Sequence, residues 1–181
     1  MTAGSKSPSP ESFTIHPQVR IGHVHLKVAN LERALHFYRG VLGFQVMQYF
    51  GDSAAFLSAG GYHHHLALNT WESLGGSPPP PDATGLYHTA ILYPDRAQLA
   101  LALHRVLQAN IPLEGAADHG VSQSIYLRDP DDNGVELYCD KPRDQWPRAA
   151  DGQLAMYTRP LDLALLLREA APHLSTGPLD L

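Results

Sequence analysis

Eleven His are spread along this chain, and two of them occupy matching places in a repeated pattern. His23 opens a run in which Val24, Leu26 and Val28 share one face while His23, His25 and Lys27 share the other. His88 stands 65 positions later, in Leu86-Tyr87-His88-Thr89-Ala90-Ile91-Leu92. Near the end of the folded region Val135, Leu137 and Cys139 form an apolar face, which sends Glu136 and Tyr138 to the opposite side. With helices covering the apolar faces and the sheets curling round the polar ones, His23, His88 and Glu136 are expected to converge. Two imidazoles and one carboxylate on one side of a divalent metal leave adjacent coordination positions open. That suits Fe(II) and dioxygen, though Mn(II), Zn(II) or Ni(II) can occupy similar ligands. Taken singly, each His reads as a hydrogen-bonded strand residue and Glu136 as a solvated charge. The repeat position of the two His is what carries the metal-binding expectation.

The elements that must position these residues can be read from the same pattern. After the first strand, Asn30 is a helix cap, and Leu31, Ala34, Leu35, Tyr38, Val41 and Leu42 recur at helical spacing until Gly43. Short strands are expected at Phe44 to Tyr49, Ala54 to Ser58 and His63 to Asn69, separated by Gly51-Asp52 and Gly60-Gly61 turns. The order is βαβββ. A stiff connector over residues 72–85 contains Pro78 to Pro81 in a row, and a second unit follows. In it, Asp95 caps a helix with Leu99, Leu103, Val106 and Leu107 on one face, and strand-like runs occupy Ser124 to Arg128 and Val135 to Cys139. At the same offset of 65, Asn30 matches Asp95 and Val41-Leu42 matches Val106-Leu107, which points to an internal duplication. The expected organisation is a mobile arm at 1–18, a domain over 19–146 with modules 19–71 and 86–142, and a tail at 147–181 with a helix near 161–170.

Composition narrows the function classes. Of 181 residues, 44% are hydrophobic and 17% charged, an ordinary globular balance. Thirteen Lys and Arg against 18 Asp and Glu give a net charge of -5, with the basic residues scattered, so no nucleic-acid partner is expected. No apolar run approaches a membrane span, and the single cysteine, Cys139, cannot form an intrachain disulfide; a cytoplasmic, non-membrane protein is the expectation. Apolar residues in the C-terminal segment are suited to homodimer contacts.

Several runs carry a resemblance to a known family. Ile21-Gly22-His23-Val24, Phe37-Tyr38 into Leu42-Gly43-Phe44, Gly85-Leu86-Tyr87-His88, Tyr126-Leu127-Arg128-Asp129-Pro130 and Asn133-Gly134-Val135-Glu136-Leu137-Tyr138 resemble the vicinal oxygen chelate superfamily. Gly60-Gly61-Tyr62-His63-His64-His65 and Asp118-His119-Gly120-Val121-Ser122 look like its catechol 2,3-dioxygenase-like branch. The resemblance implies an α+β fold in which two βαβββ modules form a curved mixed-sheet metal-binding cup, followed here by a short C-terminal helix. It also implies His23, His88 and Glu136 as metal ligands, the same set that strand parity selects. The implied activity is extradiol cleavage of a catecholic small molecule by dioxygen at a non-haem Fe(II) centre.

By the same resemblance, Tyr126, ten residues before Glu136, is a hydrogen-bonding catalytic residue, and His119 is a further candidate beside it. The acid–base His falls on His64 by family pattern and on His65 by strand parity; a bulge would reconcile the two. In place of the family's usual DPDGNG turn the chain has Asp129-Pro130-Asp131-Asp132-Asn133-Gly134, and Asp132 tolerates the left-handed conformation such a turn needs. Many extradiol enzymes carry two double-module domains and this chain has one, which leaves the substrate class open. The alternatives on the same scaffold are a glyoxalase-like isomerase, a thiol transferase, or a metal-free binding protein of the bleomycin-resistance kind.

Overall fold

The alternating run after His23 forms strand β1, Val24–Lys27, in which Leu26 is buried and His25 and Lys27 are exposed. This computed structural model describes residues 14–174; residues 1–13, with most of the expected arm, and residues 175–181 lie outside the described residues. Asn30 caps helix α1, Leu31–Leu35, accepting a hydrogen bond from the Arg33 amide at 2.9 Å. The helix widens into a π-helical stretch over His36–Val41, where the Leu42 amide reaches back five residues to Phe37 O, and Gly43, at φ +85°, turns the chain out. Strands β2 (Gln45–Phe50), β3 (Ala54–Ser58) and β4 (Leu66–Asn69) complete a sheet of order β1-β4-β3-β2, with β1 and β4 parallel.

The second unit repeats this topology. Strand β5 (Thr89–Tyr93) leads to helix α2 (Arg96–Gln108), capped by Asp95, and then to β6 (Leu113–Asp118), β7 (Ser122–Arg128) and β8 (Gly134–Asp140). The sheet order is β5-β8-β7-β6-β9, with β5 and β8 parallel, and β9 (Arg159–Pro160) comes from the tail. The fold is thus α+β, with two mixed sheets of matching βαβββ connection. Among the described residues no helix is long and apolar enough to cross a membrane.

Several expected boundaries shift. β1 and β5 begin one residue after His23 and His88, and β4 begins at Leu66, so His63 to His65 precede the strand and its parity does not govern them. β6 was not legible, because Leu-Glu-Gly-Ala-Ala-Asp has none of the β-branched or aromatic residues that mark strands. On α2, Leu99, Leu103 and Val106 are fully buried, whereas Leu107 is 41% exposed. The helix expected near 161–170 is α3 (Leu163–Arg168), followed by the short α4 (Ala171–Leu174); Leu166 and Ala170 are buried, and α3 packs on α2 of the same chain.

Side chains lock the two units together. The buried Tyr38 hydroxyl donates to Asp129 Oδ2 at 2.9 Å, and Asp129 also accepts from the amides of Asp131 and Asn133. Burial first, and the Asp129 charge next, push the Tyr38 hydroxyl above its ordinary range, so it remains a donor. Arg33 and the Ala29 amide both reach Asp131 Oδ1, and Arg105 donates to the carbonyls of Val41 and Gly40 at 2.7 and 2.6 Å. Asp132 sits at φ +66°, as the substituted turn requires. One continuous apolar core includes Leu26, Phe37 and Leu68 of the first unit with Leu99, Ile125 and Leu137 of the second. Tyr38→Phe removes a buried hydroxyl partner of Asp129, and its expected cost is about 1–3 kcal/mol, read as a lowered urea midpoint at unchanged m.

Candidate metal centre

His88 stands at the threshold of β5, beside the parallel strand β8 that carries Glu136. The register sets Ala90 of β5 and Tyr126 of β7 as the neighbours of Glu136 on either side. From there His88 Nε2 lies 2.9 Å from Glu136 Oε2, and the two side chains are 31% and 12% exposed. Two ligand atoms, each about 2.0–2.2 Å from one metal and on adjacent coordination positions, are about 3 Å apart. The separation is that of a direct Nε2–H to carboxylate hydrogen bond, and it is also compatible with two ligands on one metal. The His88 Nδ1 is buried with no hydrogen-bond partner. Gly134 makes the approach possible: a Cβ there would stand 2.1 Å from Tyr87 O and 3.1 Å from His88 Cβ. Its place at the end of the Asp129–Gly134 turn gave a signal of a turn glycine, but none of this steric role.

Tyr126 extends the group. Its hydroxyl lies 3.3 Å from Glu136 Oε1 and 2.7 Å from His119 Nε2, so His88, Glu136, Tyr126 and His119 form one connected series. Burial, with the Glu136 charge beside it, pushes the Tyr126 hydroxyl above its ordinary range. The phenol stays protonated at neutral pH.

His23 and His64 form a second, separate pair in the first unit, with ring centroids 4.4 Å apart. His64 also packs edge-on to Phe56 and touches His63, Nδ1 to Nδ1, at 2.8 Å. Burial first, then the His23 and His63 rings, hold the His64 imidazole below its ordinary range. His65 is engaged elsewhere: its Nδ1 accepts from the Ala59 amide at 3.3 Å and lies 3.2 Å from Ser58 Oγ. His64 precedes β4, so it reaches His23 without the expected bulge.

The expected convergence of His23 with His88 and Glu136 inside one chain is therefore not what the structure places. Among the described residues no three His, Cys, Asp or Glu side chains are grouped to hold a metal. The duplication fixed equivalent positions for His23 and His88 in their own units, and it carried no information on how the units face one another.

Two βαβββ units of one topology, with a histidine–carboxylate pair where the first and last strands of a unit meet, define a vicinal-oxygen-chelate type of protein. The chain belongs to the Glyoxalase/Bleomycin resistance protein/Dioxygenase superfamily, whose sequence pattern matches residues 20–137. It is 42% identical over 164 residues, 91% of its length, to a protein of Bacillus subtilis named catechol-2,3-dioxygenase, of which it spans 56%. It is 34% identical over 130 residues to biphenyl-2,3-diol 1,2-dioxygenase 3 of Rhodococcus globerulus, covering 71% of this chain and 66% of that one. The chain thus spans only part of these relatives. Among solved structures, a glyoxalase/dioxygenase from Nostoc punctiforme shares the fold, with a TM-score of 0.60 at 19% identity over 74% of this chain and 99% of that one.

Gly134→Ala is expected to push the Tyr87–His88 backbone away from β8, separating His88 from Glu136 at a cost of about 1–3 kcal/mol. Urea unfolding measures the loss of stability, and a crystal structure of the variant measures the separation.

Proposed function

We propose that this protein is an extradiol ring-cleaving dioxygenase acting on a catecholic small molecule, with a divalent metal, Fe(II), held by His88, Glu136 and His23. The observation that carries this reading is the close approach of His88 and Glu136, with the Tyr126 hydroxyl on the same carboxylate. Similarity to proteins named for extradiol cleavage supports the choice of reaction. A metal bound there would supply one charged centre on which two vicinal substrate oxygens and dioxygen are brought together.

The chain's own groups have roles that follow from their chemistry. His64, unprotonated at neutral pH, is suited to take a proton from a substrate hydroxyl and return it later. Tyr126, which keeps its proton, is suited to donate it to a substrate oxygen that gains charge, in place of the partner it has in the metal-free protein. His119 lies behind Tyr126, and His65, tied to β3, supports the loop that presents His64. Cys139 is buried and free, which fits the reducing cytoplasm we assign to the protein.

His23 is the ligand that one chain holds apart, and the contacts through Tyr38, Arg33 and Arg105 keep the two units from turning to close the gap. We therefore assign closure of the triad to a homodimer in which His23 of one copy meets His88 and Glu136 of the other. Exposed apolar side chains flank both half-sites: Ile21 is 92% exposed beside His23, and Leu86 and Tyr87 are 63% and 83% exposed beside His88.

Anaerobic reconstitution with Fe(II), followed by dioxygen electrode and absorbance measurements across a catechol panel, should show oxygen uptake with a yellow ring-cleavage product. His88→Ala should lower the rate by more than about 100-fold. Fe(II) binding without oxygen uptake on any catechol would refute the dioxygenase assignment. Co-refolding inactive His23→Ala with inactive Glu136→Ala should restore about a quarter of wild-type activity, because half the dimers are mixed and each mixed dimer has one intact site. No recovery would contradict closure by a second copy.

A further inference from the structure

The C-terminal segment returns to the candidate centre through His119. This residue lies between β6 and β7, and the tail runs directly against it: β9 pairs with β6, setting Arg159 opposite Asp118. The Tyr157 amide donates to His119 O at 3.2 Å, and His119 Nδ1 lies 3.2 Å from both Tyr157 O and Thr158 Oγ1. Gly120, at φ +82°, leaves the space the tail needs, for a Cβ there would stand 2.7 Å from the Tyr157 ring and 2.8 Å from Pro147. Arg159 stacks over that ring at 4.2 Å, and Lys141 grips Asp118 Oδ2 at 2.6 Å, anchoring the end of β6. The tail is thus fitted to this turn by backbone, ring and charge contacts together.

A carbonyl oxygen can only accept, so its contact with His119 Nδ1 is a hydrogen bond only when Nδ1 carries the proton, whereas the Thr158 hydroxyl accepts from a protonated Nδ1 or donates to a bare one. With the proton on Nδ1, the Nε2 of a neutral imidazole is a lone pair. At 2.7 Å from that lone pair, the Tyr126 hydroxyl is the donor. The carboxylate Oε1 of Glu136, at 3.3 Å, is the other acceptor open to this hydroxyl; a phenol has one proton, so donation to His119 over the shorter 2.7 Å contact takes it from Glu136, and that carboxylate keeps its acceptor capacity.

We propose that Tyr157 and Thr158 are positioning residues: their backbone carbonyl and hydroxyl hold His119 in the Nδ1–H tautomer, which directs the Tyr126 proton to His119 and away from Glu136. The catalytic consequence rests on the dioxygenase reading, whereas the tautomer itself does not and can be measured without metal or substrate. Free imidazole side chains favour the opposite, Nε2–H form, so the tail works against the intrinsic preference.

Long-range 1H–15N correlation spectra of the metal-free, full-length protein at neutral pH, with His119 assigned by its loss in His119→Gln, read the tautomer directly. The wild type should show a protonated Nδ1 and an unprotonated Nε2. Gly120→Ala, which drives a Cβ into the Tyr157 ring, and Tyr157→Ala, which loosens the segment without a clash, should each move His119 toward the Nε2–H form. Should Gly120→Ala fail to fold, the wild type and Tyr157→Ala carry the test. A wild-type His119 protonated on Nε2 would overturn the proposal, as would an unchanged Nδ1–H form in every folded variant. Failure of the catechol assay with a confirmed Nδ1–H tautomer would remove the proposed reaction and leave this assignment standing.

Discussion

The 2.9 Å approach of His88 Nε2 to Glu136 Oε2 depends on β5 and β8 running side by side and parallel. That pairing brings the entrance of one strand against the interior of the other, so residues distant in sequence present their donors together. It also requires Gly134, since any side chain there would collide with the Tyr87 carbonyl. β7 then adds Tyr126 in register with Glu136, and the β6–β7 turn adds His119. Each further polar group joins a series that starts from this pair, and without it Tyr126 and His119 would have no carboxylate to serve.

The first unit has the same topology and a different outcome. Its parallel pair, β1 and β4, brings His23 and His64 together with no carboxylate between them. The two units therefore differ in what they bring together: the second an imidazole and a carboxylate, the first two imidazoles. The polar lock from Tyr38 to Asp129 and from Arg33 to Asp131, over a shared apolar core, fixes how the units lie within a chain. Buried hydrogen bonds of this kind leave little freedom, because separating them would strand a carboxylate and a hydroxyl away from water.

Period-two alternation revealed which residues of β8 face the core: Val135, Leu137 and Cys139 are all buried, and Glu136 faces the other way. Helix caps were equally readable, since Asn30 and Asp95 make the amide contacts their side chains are suited to make. What could not be read falls into physical categories. Strand parity has no authority over His63 to His65, which lie before β4. β6 pairs through backbone bonds that its small and acidic side chains do not advertise, and β9 is too short to have a period. The tail's contact with His119 is made largely by a backbone carbonyl, which every residue possesses and which therefore leaves no trace in residue type. The separation of His23 from His88 depends on tertiary placement of whole units, about which a repeat offset is silent.

The proposed role of His88 and Glu136 as the anchoring half of a metal centre can be checked by metal binding alone. Anaerobic equilibrium titration of the wild type and of Glu136→Gln with Fe(II), followed by calorimetry, tests it without reference to substrate. About one Fe(II) per chain is expected for the wild type and an affinity lower by more than about 100-fold for Glu136→Gln, with both proteins folded. Equal affinities for the two proteins, or no stoichiometric binding by the wild type, would contradict it.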